Sequence, residues 1–317
     1  MITSQSIKTL AHDLGMDLCG IASVDRFATA PDGKNPCEVL PGCKSVIVVG
    51  VKLLDGIIQA NFRDFEDGRR DLKGLYGTYG YSQLPNFELS YVVYNIARTI
   101  ERQTGEVATP CSTGPMTNGN QISLRHSAVA AGLGQFGWMG IVLTPEFGPR
   151  QRWGAILTTL ELEPDPMYGG SSLCDPEKCG ICNKVCPTNA LTRPSDTDPK
   201  KVDIGGKHYE YCHIDWVKCL IAEHALTKRL GGKEDLIDPE TATYAEMAAV
   251  TAEQPLSEAG LQHTESWHCG KCLSYCPAGN WGDRYKKKGL SNGAAAIKFP
   301  TDAEQWEFFI EKDSAGK

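Results

Sequence analysis

CDPEKCGICNKVCP, residues 174–187, decides the fold, together with its shorter echo CGKCLSYCP, residues 269–277. The first run carries Cys174, Cys179, Cys182 and Cys186 and ends on Pro187. The second carries Cys269, Cys272 and Cys276 and ends on Pro277. Both contain Cys-x2-Cys-x3-Cys-Pro. A tight turn over Cys-x2-Cys aims two sulfurs at one point. The next step enters a short helix and turns the last sulfur away. A proline, with fixed φ and no N–H, suits a chain that changes direction there.

This is the spacing of the iron–sulfur ligands of bacterial ferredoxins, where the last Cys of each run serves the other cluster. Cys174, Cys179, Cys182 and Cys276 are accordingly assigned to one 4Fe–4S cluster, and Cys186, Cys269 and Cys272 to a second. Each cluster takes four thiolates, so one ligand must come from between the runs, where Cys212 and Cys219 lie. Cys219 falls in the helical pattern DWVKCL (215–220). A helix would present its sulfur rigidly, which favours it. The first gap is x4 rather than x2, so the turn before Cys179 is longer, helped by Asp175 and Pro176. Zinc is the rival, but a zinc site needs only paired Cys-x2-Cys and leaves the x3-Cys-Pro steps unexplained.

Composition sets the compartment. The chain has 317 residues, 41% of them hydrophobic, which permits a sizeable core. The net charge is −7 and Lys and Arg are scattered, which argues against a nucleic-acid surface. Thirteen cysteines would suit a secreted disulfide protein, but MITSQSIKTLAHDLG has no apolar signal-peptide core. Clustered thiols in a reducing compartment read as metal or redox sites. No run of about 18 apolar residues is present. The expectation is a cytoplasmic protein with no membrane and no nucleic-acid partner. Cys19, Cys37, Cys43, Cys111 and Cys212 read as small buried hydrophobes or loop thiols.

Along the chain, residues 4–17 read as an amphipathic helix, and Leu18–Val24 and Ser45–Val51 as strands. Residues 30–43 read as a Pro- and Gly-rich loop. Residues 61–85 read as a polar Gly/Tyr-rich loop, a solvated excursion or a lid over a flat cofactor. Residues 86–103 read as a helix with Asn86 as its cap, and 121–132 as another ending at Gly132. Trp138–Thr144 and Trp153–Leu160 read as strands. That order predicts an α+β sheet domain over 1–165. A Pro/Gly linker near Glu163–Gly170 leads to a ferredoxin-like iron–sulfur domain over 166–290, with helices near 214–229 and 239–253. A tail helix falls within 291–317.

Gly132-x-Gly134-x-x-Gly137 matches the dinucleotide fingerprint literally, but a helix precedes it and a strand follows, the reverse of what that fingerprint requires. It reads better as a helix C-cap and tight turn, or as a close backbone approach to a cofactor. The following 143–150, including Thr144, could shape the same pocket. Arg125 and His126 lie on the helix just before, and His126 has the pKa of a proton donor near neutrality.

The stretch Ala131-Gly132-Leu133-Gly134-x-x-Gly137-x-x-Gly140, followed by two ferredoxin-type runs of which the first continues Cys-Pro-Thr-Asn-Ala-Leu (186–191), resembles epoxyqueuosine reductase and the core of respiratory reductive dehalogenases. The resemblance covers about residues 40–280. It implies a nitroreductase-like domain holding a base-off cobalamin (corrinoid) fed by two 4Fe–4S clusters, with the remote ligand at Cys219. On that reading the corrin sits against the glycine turn, with contacts at Arg125, Gly132, Gly134, Gly137, Gly140 and Thr144, and His126 or one of Tyr76, Tyr79 and Tyr81 protonates the product. Electrons would come from reduced ferredoxin or flavodoxin. In Ser112-Thr113-Gly114-Pro115, Ser stands where epoxyqueuosine reductases carry an Asp, which points away from tRNA and toward a small electrophilic substrate. An electron-transfer protein that activates a partner's corrinoid is the other reading, and a sealed or absent cavity beside 132–140 would favour it. A flavin enzyme is a third, set against the lack of a basic phosphate cradle in 40–160.

Overall fold

The computed structural model describes residues 2–66, 72–81, 83–112, 121–230, 235–253 and 269–279. The expected tail helix and the Thr113-Gly114-Pro115 string lie outside these. The central apolar run SVIVVGV becomes the middle of a sheet. Strands β1 (Leu18–Ser23) and β2 (Ser45–Lys52) pair antiparallel, and β2 pairs on its other edge with a later strand, Gln151–Thr158. A strand absent from the sequence reading, β3 (Ala108–Ser112), closes the sheet beyond Gln151–Thr158. Two short strands, β4 (Gln135–Phe136) and β5 (Val142–Leu143), form a small hairpin of their own. Gln151–Thr158 is then β6, and the four-stranded order is β1-β2-β6-β3.

Strand β2 is buried on both faces, so its side chains divide by parity. Val46 and Val48 face one core. Ile47, Val49 and Val51 face the other. Helices α1 (Ser4–Asp13) and α5 (Leu84–Thr104) cover the second face, α5 with Leu89, Val92, Val93, Ile96 and Ile100. Each such side chain contributes about 1.5–3 kcal/mol by leaving water. Gly154 lets α5 come this close, because a Cβ there would lie 2.8 Å from Val93 Cγ1. Helix α6 (Leu124–Ala130) covers the first face, capped by Ser123 and followed by Gly132 at φ +75.

Several expectations are corrected. Asn86 is not a cap: α5 begins at Leu84 with Pro85 in its first turn, where a missing N–H costs nothing. Asn86 is buried and accepts from Arg152 Nε at 3.3 Å. The loop 30–43 holds a short helix, α2 (Pro36–Val39), with an Asn35 capping box. The supposed loop 61–85 is helical where described. It holds the end of α3 (Asp55–Glu66), α4 (Lys73–Leu75) and a π-helical turn Tyr76–Tyr81. Ile58, Phe62 and Tyr76 are buried and pin it down. Of the expected strand Trp138–Thr144 the first part, 138–140, is turn, and strand begins only at Val142.

The segment that carries the cysteine runs has small elements: α7 (Ile181–Lys184), the hairpin β7 (Lys200–Ile204) and β8 (Lys207–Tyr211), α8 (Trp216–Glu223), α9 (Tyr244–Glu253) and α10 (Lys271–Ser274). The hairpin turns on Gly205 and Gly206, at φ +55 and +76. Its Ile204 and Tyr211 join the core of the sheet unit, so this piece of the 166–290 segment packs with the preceding domain. Ile96→Ala should lower stability by about 2–5 kcal/mol, while Tyr91→Ala, at an exposed position of the same helix, should stay within about 0.5 kcal/mol. Guanidinium unfolding of the two variants checks the difference.

Candidate functional site

The two cysteine runs fold alike. In Cys179-Gly180-Ile181-Cys182 and Cys269-Gly270-Lys271-Cys272 the glycine sits at φ +59 and +61 and starts the short helices α7 and α10. A left-handed residue there costs a glycine nothing, and it brings both cysteines to the same side of the turn.

The sulfurs form two neighbourhoods. Cys182 feels Cys276, Cys174 and Cys179. Cys272 feels Cys269, Cys219, Cys182 and Cys186. The strongest couplings run within the quartets expected from the spacing, while Cys182 also acts on Cys272 across them. Cys212, buried at the end of β8, lies near Cys182 and Cys186, while Cys219 acts on Cys272 and is itself affected by Cys269 and Cys186. Lost hydration, followed by neighbouring charges, pushes the Cys219 thiol up to about 12; lost hydration likewise takes Cys276 to about 11. Burial and crowding hold Cys182 and Cys272 far above the ordinary thiol range. Such thiols stay neutral until a cation shares the site, and that cation then binds strongly. Among the described residues no three His, Cys, Asp or Glu converge on a single-ion point. A cubane needs no such convergence, because each thiolate takes its own iron. Backbone donors already meet two sulfurs: Ala190 N–H to Cys186 at 3.2 Å and Trp138 N–H to Cys174 at 3.4 Å. The donor set fits two iron–sulfur clusters.

Arg150, which the sequence reading passed over, ties the second run to the sheet. Its buried guanidinium donates to the carbonyls of Cys276 at 2.8 Å and Leu273 at 3.4 Å, and also to Ala278. Its only signal was its place in the turn-rich 143–150 stretch.

A cavity of about 990 Å³ lies between the sheet unit and the cysteine loops. Cys186, Cys219, Cys269 and Cys272 all line it, so one quartet faces the cavity and the other lies behind. Opposite them are Met139, Leu124 and Trp153. The fold also gathers here the cations that looked scattered. Arg26, Lys34, Arg125, Arg152, Lys200, Lys201 and Lys271 line the wall, against two carboxylates, Asp203 and Glu223.

The predicted cofactor and catalytic residues part company. Arg125 and His126 line the cavity; Gly132, Gly134, Gly137, Gly140 and Thr144 do not. The glycines meet protein: a Cβ on Gly132 would lie 2.1 Å from Pro166 O, and one on Gly134 2.0 Å from Leu143 O. The turn they build carries Trp138, whose N–H reaches Cys174 and whose Nε1 donates to Thr192 O at 2.7 Å. Thr144 is buried and closes a turn by accepting from Phe147 N–H at 3.1 Å. The expected corrinoid cradle at these positions is therefore corrected: they pack on protein and do not line this cavity.

His126 is corrected as an acid. Burial, then Arg125 and Lys200, lowers it to about 4, so it is neutral near pH 7. It bonds Ser123 Oγ at 2.6 Å and sets its ring edgewise to Phe136. Tyr79 is 46% exposed and outside the cavity lining. Tyr76 lines the cavity but is fully buried. Tyr81 is the tyrosine that combines cavity lining with partial exposure. It is hydrogen-bonded to Glu223, and the Arg152 guanidinium lies 4.7 Å from its ring centre. The Glu223 charge, then burial, keeps its phenol protonated well above the ordinary tyrosine range. Ser112, at the position where an acid was sought, bonds Ser90 Oγ at 2.8 Å and does not line the cavity.

No family model matches the chain. A tetrachloroethene reductive dehalogenase of Dehalobacter restrictus is 33% identical over 138 residues, covering 41% of this chain and 23% of the relative. An epoxyqueuosine reductase of Gloeobacter violaceus is 27% identical over 226 residues, 63% of this chain and 64% of the relative. The chain thus spans less than two thirds of the length of either. Among solved structures, the catabolic reductive dehalogenase NpRdhA superposes with a TM-score of 0.52 at 16% identity, over 93% of this chain and 36% of that one. A second, reported in connection with B12-dependent dehalogenation, gives 0.50 at 17%, over 81% and 34%. The shared fold is mixed α+β. Among the described residues no helix is long and apolar enough to cross a membrane.

Two outcomes follow. In anaerobically reconstituted protein Cys219→Ser should lose about half the iron, as one of two four-iron clusters goes, while Cys212→Ser should keep it; iron and sulfide assays decide. His126 titrates near 6.5 unfolded and about 4 folded, so the unfolded chain binds the extra proton between them and stability falls as pH drops through that window. His126→Gln should flatten the slope of Tm between those values.

Proposed function

We propose that this oxidoreductase, a divergent member of the superfamily that holds the reductive dehalogenases and epoxyqueuosine reductases, is a cytoplasmic corrinoid-dependent reductase of a small electrophilic molecule. The observation that carries the reading is the cavity itself, with one cysteine quartet as its wall. An electron carrier serving only a partner would need no such space. At about 990 Å³ it lies at the upper end of ligand pockets. Gln151 lines it and holds a buried Oε1 with no partner among the described residues, while its Nε2 donates to Val142 O at 2.8 Å. An unsatisfied acceptor beside the apolar faces of Trp153 and Met139 suits a flat ring fringed with amide donors. The residues present fit a corrinoid.

When bound, the corrinoid supplies the reducing chemistry and the clusters supply single electrons. The chain does the rest. The quartet Cys174, Cys179, Cys182 and Cys276 lies toward the exposed 175–178 loop, where reduced ferredoxin or flavodoxin would dock. The quartet Cys186, Cys219, Cys269 and Cys272 would hold the cluster that borders the cavity. Apolar Ile181, Val185 and Leu273 exclude water from both. Tyr81 holds a proton at its hydroxyl, and Glu223 and Arg152 orient that group. The cavity's cations favour a substrate with negative charge. They also support a second reading, a modified nucleoside within RNA, against which stands Ser112 in the acid's place.

Hydroxocobalamin titrated into anaerobic, cluster-loaded protein should change its absorption spectrum saturably; an unchanged spectrum sinks the corrinoid reading. Tyr81→Phe should cut turnover by about 10²–10⁴-fold, the range of a lost general acid, with KM nearly unchanged.

A further inference from the structure

Tyr76 has no part in the proposed reaction, yet it is among the largest fully buried side chains. Its hydroxyl has no hydrogen-bond partner among the described residues. A buried hydroxyl left unpaired is costly, on the order of 1–3 kcal/mol, so the position asks for an acceptor. Burial keeps the phenol protonated, and it has a proton to donate.

The geometry around Tyr76 is confined. Its ring lies on Gly80 in its own π-helical turn and on Gly270 in the second cysteine run. A Cβ on Gly270 would fall 2.3 Å from Tyr76 Oη. Gly270 stands between Cys269 and Cys272, and both sulfurs act electrostatically on the phenol. Asn61, from the neighbouring α3, holds the same loop through Cys269 O at 3.3 Å and Ser274 Oγ at 3.0 Å. The hydroxyl is therefore packed against the loop that carries two ligands of the cavity-side quartet.

The sister run offers a contrast. Gly180 has the same place between Cys179 and Cys182 and a matching φ of +59, but a Cβ there would meet nothing within 4 Å. Among the described residues no tyrosine packs on it. The two runs repeat one another, and the phenol is added on one side only.

We infer that the Tyr76 hydroxyl donates a hydrogen bond to sulfur of the cluster held by Cys186, Cys219, Cys269 and Cys272, and so raises that cluster's reduction potential above that of its neighbour. A donor at sulfur stabilises the more negative, reduced state. The difference in potential draws the electron toward the cavity. This rests on the two-cluster reading, and Tyr76 acts as a tuning residue in place of the proton donor expected from its sequence position.

The test is an EPR-monitored redox titration of the reconstituted full chain, with iron and sulfide measured on each sample. In Tyr76→Phe one of the two reduction waves should move to more negative potential while the other stays. With 3-fluorotyrosine placed at position 76, a stronger donor of nearly the same shape, the same wave should move the opposite way. If both waves stay where they are in these proteins with about eight iron retained, for two four-iron clusters, the hydrogen bond is refuted and the two-cluster reading survives. If wild-type protein takes up no iron, the reading beneath it fails as well.

Discussion

A buried guanidinium holds this molecule together. Arg150 comes from the strand-β6 side of the sheet unit, and it donates to the carbonyls of Leu273 and Cys276 in the second cysteine run and of Ala278 just after it. Burying a charge without partners would be expensive. Here charge-assisted bonds to main-chain oxygens replace its water. Backbones meet at the same place: a Cβ on Gly148 would lie 2.1 Å from Ala278 O, so neither run of chain can retreat. The consequence reaches both quartets. Cys276 belongs to one and Cys269 and Cys272 to the other, and all three ride on the loop that Arg150 clamps.

From that clamp the site assembles. The sheet unit lends Trp153, Arg152 and Gln151 from the strand that follows Arg150, and α8 lends Cys219 and Glu223. The glycine turn 134–140 sends Trp138 to the rear quartet. The π-helical turn sends Tyr76 to the front loop and Tyr81 to the cavity. The cavity is therefore a product of docking between units, and its cations come from segments far apart in sequence. That is why a chain with net charge −7 can present a basic interior.

What could be read in advance follows from how local each signal is. The cysteine spacings, the β2 run and the α5 stripe are periodic or fixed-offset patterns, and the structure repeats them closely. The hairpin 200–211 carried a local signal too, Gly-Gly between alternating residues, which was overlooked. Residues 61–85 misled because Gly and Tyr suggest a loop, whereas buried Ile58, Phe62 and Tyr76 fold the segment onto the cysteine loops. The glycines of 132–140 were read as room for a cofactor, and their empty faces are filled by Pro166 and Leu143. Arg150 and the cavity's cations depend on long-range packing and leave no pattern in sequence.

The central claim is that two quartets split across the two cysteine runs, with one of them at the cavity wall. An iron-edge anomalous map of crystals of the reconstituted chain tests it most directly. The account predicts two separate iron peaks, the one bounded by Cys186, Cys219, Cys269 and Cys272 bordering the cavity. A single peak, or metal held by the cysteines of one run alone, would contradict it.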